Sequence, residues 1–258
     1  MDLTVIGHVR KVSPTTSDAD PSIGGPWGRS RNQARARESS GVDAVAVVLG
    51  LAVGLAAGPV ADRMATNGPA HRPLLSRTPT SPWVVHVTAA TAVLGAACGL
   101  AFGFTPEAAI GAFVCVVLVT IARADLETHL IPNRIVIPAT VVLLVARTID
   151  DPSLQWVLGA LGAGVALFLI VLAYPKGMGM GDVKLAAFMG AALGGAVVLA
   201  LFVGFLASAV PAIVLLVRHG SAARKRAIPL GPFLALGGIV ALFFGDAVID
   251  WYRGVTGL

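Results

Sequence analysis

Charged residues are scarce in this sequence. Asp, Glu, Lys and Arg make up 13% of its 258 residues, whereas soluble domains average about 25%. Hydrophobic residues account for 56%, and the mean hydropathy is +0.82. Ten of the 33 charges fall in residues 1–41, so the rest of the chain is poorer still. This composition excludes an ordinary soluble domain and predicts a membrane protein.

Cysteine is also rare, and the basic residues are dispersed. Cys98 and Cys115 are the two cysteines, and both lie in apolar runs without a CxxC partner. Two isolated cysteines cannot supply a four-ligand zinc site, so we expect buried core residues and neither a metal nor another cofactor. The net charge of +5 is scattered among hydrophobic segments. That pattern excludes the continuous basic face that nucleic-acid binding requires.

Long intervals without charge predict membrane-spanning helices, since a helix needs about 20 residues to cross the bilayer core. Four intervals contain 18 to 29 uncharged residues. Two more contain only 15 and 12, so they span only if the flanking Arg123, Arg134 and Arg147 snorkel to the headgroups. In chain order, the intervals are 44–61, 78–106, 108–122, 135–146, 152–175 and 227–245.

The interval 185–217 is too long for one span. Its 33 residues would form a helix of about 50 Å across a core of about 30 Å. Gly194-Gly195 is the expected break, which leaves a short helix over 183–193 and a long one over 196–217. The prediction is an all-α polytopic membrane protein with about eight apolar helices, one of them short, over residues 42–258. Residues 1–41 are polar, lack the apolar core of a signal peptide and predict a disordered tail.

Basic residues mark one set of loops. Loops 61–83, 123–134, 174–184 and 218–227 contain eleven Lys or Arg residues, and the opposite loops contain none. The positive-inside rule therefore predicts that this set is cytoplasmic. The six basic residues of the tail conflict with that orientation, because eight crossings would put the tail outside.

Two aspartates on this side have distinctive contexts. Asp125 is expected about one turn beyond a helix end, and Asp182 is expected directly before the short helix. Asp125 is alternatively a solvated loop acid, and Asp182 an N-cap. Glycines at 177, 179 and 181 precede Asp182 at alternate positions, which would let an extended peptide approach closely, or would form only a tight turn or an anion-binding nest.

The two aspartates are separated by two predicted helices, so the chain returns to the same membrane face and they can meet. Two carboxylates that share a site form an acid/base couple, in which one takes a proton from water and the other donates a proton to a carbonyl oxygen.

Three stretches together resemble the prepilin peptidase family, the multi-spanning aspartic proteases that process type IV pilin-like precursors. They are Asp125 to Asn133 with its Ile-Pro-Asn ending, Gly179-Met180-Gly181-Asp182-Val183-Lys184, and Ile228 to Gly237. The resemblance implies catalytic roles for Asp125 and Asp182. It also implies a multi-pass protein of the plasma membrane, with a site at the cytoplasmic membrane face that cuts, after a glycine, the short basic leader of pilin-like or pseudopilin precursors.

Several residues next to the two aspartates are candidates for supporting roles. Gly179 and Gly181 are candidates for holding the substrate backbone. Glu127 either assists Asp125 and the leader or is a solvated acid, and Lys184 either compensates charge beside Asp182 or snorkels to the interface. His129 is expected to be a packing residue, and the Pro-Gly-Pro residues at 229, 231 and 232 are expected to shape the start of a helix.

The sequence departs from the larger family members in one respect. Many of them carry paired CxxC motifs between the first two helices and also N-methylate the new terminus, but the loop over 62–83 contains no cysteine here. Methyltransferase activity is therefore not expected. The alternatives are a proton- or ion-coupled transporter that uses the same acids, a presenilin-like intramembrane protease, and a structural subunit of a secretion machine.

Overall fold

The computed structural model describes residues 42–68, 81–175, 178–219 and 228–256, and these residues are all-helical. The predicted tail, residues 1–41, lies outside the described residues. In chain order the helices are α1 Val42–Asn67, α2 Val84–Phe102, α3 Pro106–Thr128, α4 Asn133–Asp150, α5 Gln155–Ala173, α6 Met180–Leu193, α7 Val197–His219 and α8 Gly231–Thr256.

The all-helical, multi-pass membrane architecture is confirmed. By length and composition, six segments of the described residues can cross a membrane, when the 40 residues Met180–His219 are taken as one segment. Large apolar side chains cover the outer faces of these helices, and Val85, Leu100 and Val217 are among the most exposed. Exposed apolar surface of this extent is typical of contact with lipid.

The predicted break at Gly194-Gly195 is confirmed. Helix α6 ends at Leu193, a single 3-10 turn covers Gly194–Ala196, and α7 begins at Val197. Gly194 has φ 55° and ψ −125°, a left-handed conformation that favours glycine. The 14 residues of α6 rise only about 21 Å, which is less than the bilayer core of about 30 Å.

Glycine allows two helix pairs to pack with their backbones in contact. An added Cβ on Gly50 of α1 would overlap the Gly95 carbonyl oxygen of α2. An added Cβ on Gly190 of α6 would overlap the Gly159 carbonyl oxygen of α5. Small residues at such interfaces are how membrane helices gain contact area where lipid provides no hydrophobic driving force. The pair Gly159 and Gly190 brings α6 deep into the bundle.

Arg147 was predicted to snorkel to the headgroups, and this prediction is wrong. Its side chain is 0% exposed, and its guanidinium donates to the Glu107 carboxylate at 2.8 Å. It also donates to the Ala192 carbonyl oxygen at 2.9 Å and lies 4.5 Å from the centre of the Trp156 ring. The charge is neutralised inside the bundle by an acid on α3, so the side chain does not need to reach water.

The two cysteines are core residues, as predicted. Cys98 on α2 and Cys115 on α3 are buried and unbridged, with their sulfur atoms 3.9 Å apart.

Candidate active site

Asp125 and Asp182 meet at one cavity of about 330 Å³ between the end of α3 and the start of α6. The two carboxylates interact electrostatically across it. The topological prediction that two intervening helices return the chain to the same place therefore holds. The cavity is lined by Asp125, His129, Leu130, Ile131, Asn133, Gly179, Met180, Gly181, Asp182 and Lys184.

Asp125 lies inside α3, which corrects the prediction that it follows a helix end. The helix continues to Thr128, and His129 closes it in a left-handed conformation with φ 52°. The sequence misleads here because the apolar run ends near Arg123, while nothing between Arg123 and Thr128 breaks a helix. The side chain of Asp125 is buried, at 5% exposure.

Asp182 occupies the first turn of α6, since that helix begins at Met180, three residues earlier than predicted. Its Oδ2 accepts the backbone N–H of Gly179 at 3.2 Å. An acid at this position satisfies a backbone donor of the helix start and complements the helix dipole. The alternative that Asp182 is the N-cap residue is therefore wrong, because Gly179 holds that position and Asp182 accepts its N–H from the third position of the helix. Asp182 also lines the cavity.

The two described glycines of the alternating strip both line the cavity, for different reasons. An added Cβ on Gly181 would lie 2.9 Å from the Cβ of Ile131, so glycine is needed there for the close approach of α6 to the loop after α3. Gly179 has an ordinary extended conformation, and a Cβ there would make only van der Waals contacts. Gly177 lies outside the described residues.

Lys184 connects the start of α6 to the start of α4 at the cavity edge. Its Nζ donates to Oδ1 of Asn133 at 2.7 Å. Asn133 belongs to the Ile-Pro-Asn sequence that follows α3, so this bond joins the two segments that carry the aspartates. The lysine therefore has a specific protein partner, which neither charge compensation nor snorkelling predicted.

Glu127 lies outside the set of residues that line the cavity. Its half-exposed carboxylate pairs with Arg123 one turn earlier, at 2.8 Å. Arg123 is itself buried, 3.6 Å from the Asp62 carboxylate and 5.4 Å from the Trp83 ring centre, and it donates to the Ser81 hydroxyl at 3.1 Å. The predicted snorkelling of Arg123 is therefore wrong, because this network holds the end of α1 and the start of α2 against α3.

Gly231 contributes to the site in a way that the sequence did not reveal. Its backbone N–H, at the start of α8, donates to Oδ2 of Asp125 at 2.9 Å. From the sequence, only the start of a helix was expected at this position. One feature of the sequence pointed to this residue, since Gly231 belongs to one of the three stretches that carry the resemblance. The hydrogen bond itself was not predictable, because a backbone N–H donor has no signature in the sequence.

The chemistry available here is that of acids and backbone donors. The two carboxylates share a partly polar cavity, and each has one oxygen bound by a backbone N–H. Within the described ranges, no group of His, Cys, Asp and Glu is arranged to hold a metal ion. Such a pair can take a proton from water and deliver one to a carbonyl oxygen.

Comparison with known proteins gives a consistent result. The model of the type IV leader peptidase family matches residues 112–217. A prepilin leader peptidase/N-methyltransferase of Bacillus subtilis is 36% identical over 170 residues, which cover 63% of this chain and 66% of the relative. Proteins of the same name from Legionella pneumophila and Pseudomonas aeruginosa are 33% and 34% identical over 172 and 180 residues.

The chain spans less than two thirds of the length of these relatives. The matched region covers 64% of this chain and 60% of the Legionella protein, and 66% of this chain and 61% of the Pseudomonas protein. No solved structure matches the chain significantly.

Proposed function

Because the chain belongs to the type IV leader peptidase family, we propose that it is a membrane aspartic endopeptidase that removes the short basic leader from pilin-like or pseudopilin precursors. One observation carries the proposal, which is that Asp125 of α3 and Asp182 of α6 line a single cavity. Each comes from one of the stretches on which the resemblance rests.

The proposed reaction is hydrolysis by water that the two aspartates activate. The ionised carboxylate takes a proton from water as the oxygen attacks the scissile carbonyl carbon, and the protonated partner donates to the carbonyl oxygen. The intermediate collapses with cleavage of the C–N bond when the aspartate that took the water proton gives it to the leaving amine, and the other aspartate recovers its proton from a hydroxyl of the gem-diol. The bonds from Gly231 and Gly179 each use one carboxylate oxygen, which leaves the other oxygen of each aspartate for the water and the substrate.

The proposal includes the finer topology, with about eight apolar helices and a site at the cytoplasmic membrane face. The eleven Lys and Arg residues on one set of loops support this orientation, since the loops over 123–134 and 174–184 border the cavity. A basic leader would be attracted to a site that carries two acids. The apolar stem of a precursor can stay in the bilayer while its leader is cut.

Two other activities are not part of the proposal. The transporter alternative has no support, because the matching family and relatives are peptidases. N-methylation, which the relatives' names include, is not proposed, since the paired CxxC motifs are missing from the loop over 62–83.

The proposal is tested by co-expressing the chain with a pilin-like precursor that has a basic leader, a glycine before the cut and an apolar stem. We expect a shorter product on a gel, and mass spectrometry should locate its new N-terminus directly after the glycine. A precursor with leucine in place of that glycine is the matched control and should stay intact. If the first precursor also stays intact while both proteins are present in the membrane fraction, the proposed activity is wrong.

Lys184 is predicted to matter less than the aspartates. Lys184→Met removes the donor to Asn133, so the segment after α3 is held less firmly, and we expect kcat/KM for the precursor to fall about 5- to 10-fold, as the loss of about 1 kcal/mol implies. Lys184→Arg should retain most activity because it keeps a donor. Arg253→Met, at an exposed position on α8, should behave as wild type, and an equal loss in both methionine variants would contradict the assignment.

A further inference from the structure

We propose that Gly231 is a positioning residue for catalysis, and that its backbone N–H and its missing side chain together hold the Asp125 carboxylate in its working orientation. This inference rests on the proposed peptidase function. It gives the third stretch of the resemblance, Ile228 to Gly237, a role in the site itself.

The hydrogen bond from Gly231 stabilises the negative charge on the Asp125 carboxylate. The donor nitrogen and Oδ2 are 2.9 Å apart, and both residues are buried. The first N–H groups of a helix have no partner within the helix, so the N–H of Gly231 at the start of α8 is available to the carboxylate. A helix N-terminus also favours a negative charge beside it. Both effects favour the ionised form of Asp125.

Position 231 requires glycine because there is no room for a side chain. An added Cβ would lie 2.8 Å from Oδ2 of Asp125 and 3.0 Å from its Cβ and Cγ. Gly231 does not have a positive φ, so other residues could adopt its backbone conformation. The requirement for glycine therefore comes from the approach of Asp125.

The two aspartates are held in different ways. Asp182 accepts an N–H only three residues away, in its own helix start, at an exposed position where water can replace the donor. Asp125 accepts an N–H from a segment 106 residues further along the chain, in a buried position. Water can replace the bond from Gly231 to Asp125 less easily than the bond from Gly179 to Asp182. Loss of the Gly231 donor should therefore have the larger effect.

The kinetic test is Gly231→Ala in the full-length protein, assayed with a cleavable precursor. The methyl group would displace the Asp125 carboxylate, so we expect kcat to fall about 100-fold while KM changes less than about 3-fold. The acidic limb of the kcat profile should move to higher pH, because the ionised carboxylate loses a donor while Asp182, His129 and Lys184 are unchanged. Gly254→Ala, at the other end of α8 with open space around it, should match wild type.

A second measurement does not depend on cleavage or on the folding of Gly231→Ala. In protein labelled with ¹⁵N-glycine, amide exchange at Gly231 should be slow in wild type and in Asp182→Ala, and at least 10-fold faster in Asp125→Ala. Equal exchange in wild type and Asp125→Ala would overturn the inference, as would a Gly231→Ala enzyme with wild-type kcat and pH profile. A wild-type chain that leaves the precursor intact would instead refute the proposed function and leave the exchange result to be judged separately.

Discussion

Asp125→Asn and Asp182→Asn should each lower the rate of leader removal by about 1,000-fold or more, because each removes one half of the proposed acid/base couple. Asparagine keeps an oxygen that can still accept the N–H of Gly231 or of Gly179. Both variants should therefore fold and insert normally. The measurement is the rate of precursor cleavage at equal amounts of membrane-inserted enzyme.

Asp250→Asn is the matched control for these variants, since Asp250 is an exposed aspartate near the C-terminal end of α8. It should cleave at the wild-type rate. Either site variant with activity within about tenfold of wild type would remove its aspartate from the mechanism, because general acid or base catalysis contributes at least about 100-fold.

Arg147→Met should lower the free energy of unfolding by about 3–5 kcal/mol, the range seen when one member of a buried ion pair is removed. The substitution leaves the Glu107 carboxylate buried without its partner, and it removes the donor to the Ala192 carbonyl at the end of α6. Thermal or denaturant unfolding of the detergent-solubilised protein would measure the loss. Arg253→Met, at an exposed position, should change stability by less than about 0.5 kcal/mol.

Removing both charges should recover much of this loss. The double variant Glu107→Met/Arg147→Met removes both members of the buried pair, and such replacements are often close to neutral. The Ala192 carbonyl would still lack its donor, so we expect a residual loss of about 1–3 kcal/mol. A double variant as unstable as Arg147→Met would show that burial of Glu107 alone is not the cause of the effect.

Much of the architecture was predictable because a bilayer imposes a length on every span. Intervals without charge located the spanning helices, and the excess length over 185–217 required the break that occurs at Gly194. The meeting of Asp125 and Asp182 followed from the number of intervening helices. These inferences needed only the thickness of the membrane and the rise of a helix.

Features that depend on partners distant in sequence were not predictable. Arg123 and Arg147 were expected at the headgroups, because the sequence does not show that Asp62 and Glu107 lie beside them in the bundle. The end of α3 was placed too early, because His129 closes that helix in a conformation that glycine or asparagine more often adopts. Side-chain spacing reports which face of a helix is apolar, but not which neighbour covers it.

The bond between Asp125 and Gly231 also has a consequence for biosynthesis. Its partners are 106 residues apart, and at a synthesis rate of about 5–20 residues per second the donor emerges roughly 5–20 seconds after the acceptor. During that interval Asp125 and Asp182 are both made, but the donor from α8 is still missing. The carboxylate reaches its final environment only after α8 has inserted, so a nascent chain contains both acids before the bond that orients Asp125 can form.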